Sequence, residues 1–212
     1  SEWVMIPGLD PIFSNTEWLK TLSIHEFRHV VQYARGRSSG FNKFLYLILG
    51  EQGQAIGLNL ALPPWYFEGD AVGLETALTS GGRGRLPRFE REIRAILLSG
   101  KKYEYDQAHL RSYKNFIPNH YVYGYFYTSK MREKYGDKFL TDLSDEAVER
   151  SYNPFAVYRA FENLTGESFE IFYENLMNEM KAKWEEKLSL ITPSPQYIYP
   201  VKDFKTWTNY EY

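Results

Sequence analysis

The stretch Ile24-His25-Glu26-Phe27-Arg28-His29 constrains this chain more than any other, because an H-E-x-x-H sequence acquires chemical meaning only when it is wound into a helix. Residues four apart lie one above the other on a helix, so His25 and His29 point two imidazoles at one small cation, with Glu26 beside it. Neutral imidazoles suit Zn²⁺, and a carboxylate next to a zinc-bound water can take the water's proton, since the metal lowers its pKa towards neutrality. The flanking residues predict the helix. Ser14-Asn15-Thr16-Glu17 fits a capping box, and the apolar set Trp18, Leu22, Phe27, Val30 and Val31 continues to Gly36, giving an amphipathic helix with the motif at its middle.

The rest of the chain limits how such a metal could be held. Cysteine is absent, so no disulfide or thiolate ligand is available, and any metal must use histidine and carboxylate. A net charge of -2 argues against a nucleic-acid partner, and Arg83, Arg85 and Arg88 read as solvated residues of a Gly-rich loop. The longest apolar run, Phe44-Leu45-Tyr46-Leu47-Ile48-Leu49, is far too short to span a membrane and ends at Gly50.

Residues 1–190 read as a single, mainly α domain with little β structure at the N-terminus, where Val4-Met5-Ile6 is closed by Pro7-Gly8. Helices are predicted over Trp65 to Thr79, Arg88 to Ser99, Asn119 to Tyr135, Asp137 to Val148, Pro154 to Leu164 and Ser168 to Leu190. Phe41 to Leu60 is apolar but interrupted by Gly50, Gly53 and Gly57, which weaken a helix or let it pack closely. Gly82 to Pro87 reads as a mobile loop, the stretch after Gly100 as a polar connection, and His109 as a surface residue. Residues 191–212, rich in proline and aromatics, read as a linker or the start of a following domain, with a further domain expected beyond residue 212.

A zinc site built on two histidines needs a third protein ligand and one position left for water. Pro64-Trp65-Tyr66-Phe67-Glu68-Gly69-Asp70-Ala71-Val72-Gly73-Leu74-Glu75 offers it: Glu68 and Glu75 are two helical turns apart and face the same way, and the small residues among them permit close approach to another backbone. H-E-x-x-H followed by W-x-x-E-G-x-A-x-x-x-E resembles the gluzincin zinc metallopeptidases, and most closely their peptidase-MA-like domains, over about residues 14 to 185. The resemblance implies a zincin-like fold, Zn²⁺ as cofactor, Glu68 as third ligand and Glu75 as a carboxylate that orients a ligating imidazole. It also implies a larger parent protein with an exported destination. The sequence departs from the family in the 38 residues between His29 and Glu68, in Phe67 where asparagine is usual before the glutamate, and in lacking the G-x-M-E-N element of the true aminopeptidases.

Gluzincins stabilise the oxyanion with a tyrosine or histidine opposite the metal. Asn119-His120-Tyr121-Val122-Tyr123-Gly124 supplies candidates. Family spacing points to Tyr121, with Tyr123 and His120 as alternatives. The expected activity is hydrolysis of a peptide or protein substrate with Glu26 as general base; the competing expectation is an inactive, metal-stabilised peptidase-like module that serves as a binding or scaffold element of a larger protein.

Overall fold

The computed structural model describes residues 18–112 and 114–191. The expected capping box, the N-terminal strand and the tail after residue 191 lie outside them. The described residues are mainly helical and contain no strand. None of their helices is long and apolar enough to cross a membrane.

The described residues form nine helices, in order α1 (Trp18–Arg35), α2 (Gly40–Ala61), α3 (Pro64–Leu78), α4 (Pro87–Leu98), α5 (Tyr105–Leu110), α6 (His120–Tyr135), α7 (Phe139–Glu149), α8 (Ala156–Thr165) and α9 (Phe169–Ser189). Local chemistry sets most boundaries. Pro64 and Pro87 begin α3 and α4, where a missing N–H is harmless. Asn119 accepts from the backbone N–H groups of Tyr121 and Val122 to open α6, Ser168 accepts from Ile171 to open α9, and Gly166 ends α8 in the left-handed region.

The core is aromatic. Trp65 of α3 stacks on Phe169 of α9 with ring centroids 5.1 Å apart and meets Tyr127 of α6 edge-on at 5.4 Å, and its indole N–H donates to the Tyr105 hydroxyl at 3.0 Å. Around this centre Phe161, Leu143 and Met131 are fully buried. The six-residue α5 that supplies Tyr105 falls in the stretch read as a connection, being too short to display a helical period.

Helices α3 and α6 touch backbone to backbone. A Cβ on Gly69 would collide with the main chain of Gly124, and one on Gly124 would collide with the carbonyl of Trp65. Gly69 therefore gives the close backbone approach that the small residues of α3 suggested, whereas Gly73 lies against the Arg132 side chain. Helix α2 is broken at Gly50, whose φ of 62° and ψ of -146° no helix contains. Its first arm folds back on its second, so that Gly53 lies against the Leu45 carbonyl and Gly57 against Asn42.

Helix α1 departs from expectation. Its apolar set, read as one side of an amphipathic helix, is largely at the surface, Phe27 being 66% and Val30 61% exposed, while the buried residues of the helix are His25 and Gln32. The polar side of α1 faces α3. Pairing of Thr21 with Thr79, His25 with Glu75, and Gln32 with the Phe67 carbonyl shows that the two helices run antiparallel.

Candidate metal centre

Helix α1 brings His25 and His29 onto one face, and the first turns of α3 bring Glu68 opposite them. His25 Nε2 lies 3.2 Å from His29 Nε2 and 3.2 Å from Glu68 Oε2, and His29 Nε2 lies 3.5 Å from the same carboxylate oxygen. A tetrahedral ion with bonds of roughly 2.0–2.1 Å places its donors about 3.3 Å apart, so this triangle has the size of one face of such a site. Among the described residues these three are the group placed to hold a metal ion.

The protonation pattern supports that use. His25 Nδ1–H donates to Glu75 Oε2 at 2.9 Å and His29 Nδ1–H donates to Gln32 Oε1 at 2.9 Å, which leaves both Nε2 atoms as lone-pair donors facing Glu68. Glu68 Oε2 is, among the described residues, the buried side-chain polar atom without a hydrogen-bond partner. Three electron-rich atoms converging at this distance are unfavourable unless a proton or cation sits among them. The same electrostatics moves the protons of the protein alone. Burial opposes charge on His25, but Glu68 and Glu75 outweigh it and raise its pKa to about 9. Burial likewise opposes charge on Glu68, and the two imidazoles overcome it, holding the carboxyl well below the usual range.

Each imidazole is oriented by a different kind of group. Glu75, 1% exposed, accepts from His25 and also from Arg83, whose Nε donates to Oε1 at 2.7 Å and whose Nη2 donates to Oε2 at 3.0 Å. Burial works against ionisation of Glu75, and His25 and Arg83 bring its pKa down to about 2. Arg83 Nη2 also lies 2.9 Å from His25 Nδ1. Since a guanidinium only donates, we assign both groups as donors converging on Glu75 Oε2. Arg83 is thus not the solvated loop residue expected. The loop is also pinned, because Gly84 N–H donates to Thr76 Oγ1 and the Arg85 side chain donates to the Thr76 carbonyl, and it is not the free excursion that its glycines suggested.

His29 is oriented by neutral Gln32, whose Nε2 donates to Asp70 Oδ2 at 2.8 Å. Asp70 is fully buried and shared by Arg28, whose Nε lies 2.5 Å away, and Arg132 of α6. This relay was invisible in the sequence, because Gln32 and Asp70 have no spacing signature and meet across 38 residues of chain.

The remaining predicted residues divide. Glu26 is exposed beside His25 on α1. Tyr121 lies near Glu68 and under the Arg83 guanidinium, 5.2 Å from its ring centroid, and burial followed by the Glu68 charge raises the pKa of its phenol. His120 is exposed and lies against Tyr121, with ring centroids 4.7 Å apart. Tyr123 is 3% exposed and turns into the aromatic core against Tyr127 and Tyr173. His109, expected at the surface, is partly buried and stacks on Tyr105.

Compared with family models, with curated proteins and with solved structures, the chain matches none of them at a significant level.

Proposed function

We propose that this chain is a zinc-dependent metallopeptidase of the gluzincin, peptidase-MA-like kind. The observation that carries the reading is the triangle of His25 Nε2, His29 Nε2 and Glu68 Oε2, with its unpartnered, buried carboxylate oxygen. These three residues would hold Zn²⁺, which when bound supplies Lewis-acid polarisation of the scissile carbonyl and acidifies water. Histidine and carboxylate donors are a set that zinc accepts.

Glu26 sits one residue from His25 on the solvent side, where substrate arrives. It takes the proton of the attacking water and returns it to the departing amine. Tyr121 keeps its phenolic hydrogen because burial and Glu68 raise its pKa, so it is a neutral donor suited to a developing oxyanion. Arg83 over the ring restricts where that hydroxyl points. Glu75 and Gln32 fix the imidazole tautomers that leave both Nε2 atoms available.

The test is Glu26→Gln. It keeps zinc content and fold while lowering peptide hydrolysis by about 10²–10⁴-fold, as loss of a general base does. Cleavage of a peptide library by the variant at the wild-type rate overturns the assignment. A wild-type protein that binds zinc but cleaves no peptide points instead to a binding or scaffold module.

A further inference from the structure

A cleft of about 430 Å³ opens beside the N-terminal end of α3. This volume is in the range that holds a side chain with its flanking backbone. Its walls are Leu60, Pro63, Pro64, Phe155 and Val157, and its floor is Tyr105 and Tyr158, whose hydroxyls share a 2.7 Å hydrogen bond. Leu110 at the rim is 77% exposed, apolar surface left for a ligand to cover.

The charge of the cleft has one sign. Asp106 and Glu170 line it, and no lysine or arginine does. Burial lowers the pKa of His109 and so disfavours a positive charge there. An adjoining depression of about 160 Å³ shares Asp106 and Glu170 and adds Glu104, while Glu174 there is already paired with Lys102 at 2.7 Å. Apolar walls, aromatic faces and two carboxylates complement an alkyl stem that ends in a cation: the stem lies along proline and phenylalanine while the head reaches the carboxylates and the tyrosine rings.

The cleft is also close to the centre. Pro64 in its wall and Glu68 at the metal position are four residues apart on the same face of α3, a rise of about 6 Å. A narrow gap of about 60 Å³, which Arg111 also lines, shares Pro64, Tyr105 and His109 with the cleft and continues to His120, whose neighbour Tyr121 faces Glu68. An extended peptide advances roughly 3.3–3.6 Å per residue, so a chain crossing the centre delivers a side chain to the cleft from about two positions away.

We propose that this cleft is a substrate subsite for lysine or arginine, selecting peptides with a basic residue about two positions from the cleaved bond. The inference deepens the metallopeptidase reading and rests on it for the path of the peptide. It is tested apart from cleavage, by calorimetric titration of chelator-treated protein with a blocked hexapeptide containing one arginine and with the same peptide containing citrulline, its neutral isostere. The arginine peptide should bind on the order of tenfold more tightly, the effect of two solvent-accessible charge contacts together. In the Asp106→Asn, Glu170→Gln double variant that difference should vanish; both side chains are exposed and both changes preserve shape. Equal binding of the two peptides, binding of neither, or a preference that survives in the variant overturns the proposal. Because no zinc is present in the titration, an arginine preference without any cleavage activity would sink the peptidase reading alone.

Discussion

The two helices that meet at the candidate metal centre are held in place by different forces. Helix α3 is anchored by apolar burial: Trp65, Tyr66, Ala71 and Val72 are each at most 2% exposed, and Gly69 lies on Gly124. Helix α1 buries almost no apolar surface and is tied to α3 by Arg28 and Gln32 on Asp70, by His25 on Glu75, and by Thr21 on Thr79. Glu68 therefore stands on an aromatic core, whereas His25 and His29 stand on a polar network. A single apolar contact is one of many that hold α3, whereas a buried charge left alone is costly, so the histidine side should be the more easily disturbed.

Removing the shared carboxylate should disturb it most. Asp70→Asn leaves Arg28 and Arg132 without their buried partner and should destabilise the protein by about 3–5 kcal/mol in denaturant unfolding, with zinc affinity falling alongside. A loss under about 1 kcal/mol would mean that α1 is secured in some other way, and the contrast would fail. Gly124→Ala attacks the other side by forcing α6 away from α3; a loss of about 1–3 kcal/mol is expected, with kcat falling more than zinc affinity because Tyr121 moves and the ligands stay.

Glu75→Gln and Gln32→Ala sharpen the comparison at the ligands themselves. Loss of an orienting partner lowers metal affinity by about 10–100-fold, and the charged orienter should be worth more than the neutral one. Competition with a chromophoric chelator measures both, and equal effects would show that charge at Glu75 does not matter. The smallest effect is expected from Val30→Ser on the exposed side of α1, within about 0.5 kcal/mol in either direction by thermal melting.

Chemistry written in one turn or two of a helix was legible before any coordinates. His25 and His29 at a spacing of four, and Glu68 and Glu75 at a spacing of seven, carry their geometry in their numbering. The supports were not legible: Arg83 reaches His25 across 58 residues, and Arg132 reaches Asp70 across 62. Nothing local marks such pairs. The apolar stripe of α1 misled for a related reason. Periodicity reveals that a helix has two sides, but the side that turns inward is decided by what the neighbouring helix needs, and α3 presents Asp70 and Glu75 to it. Helix α5 was missed because six residues cannot display a period, and the break in α2 was underestimated because a glycine in a helical pattern does not reveal that its φ is positive.

The glycine-on-glycine crossing of α3 and α6 has a consequence for how this centre tolerates change. Because main chain rests on main chain, the spacing of the α3 and α6 backbones that carry Glu68 and Tyr121 is gauged by peptide planes. Nearby side chains are then free to be exchanged, reshaping what enters, while the two helices keep a constant separation.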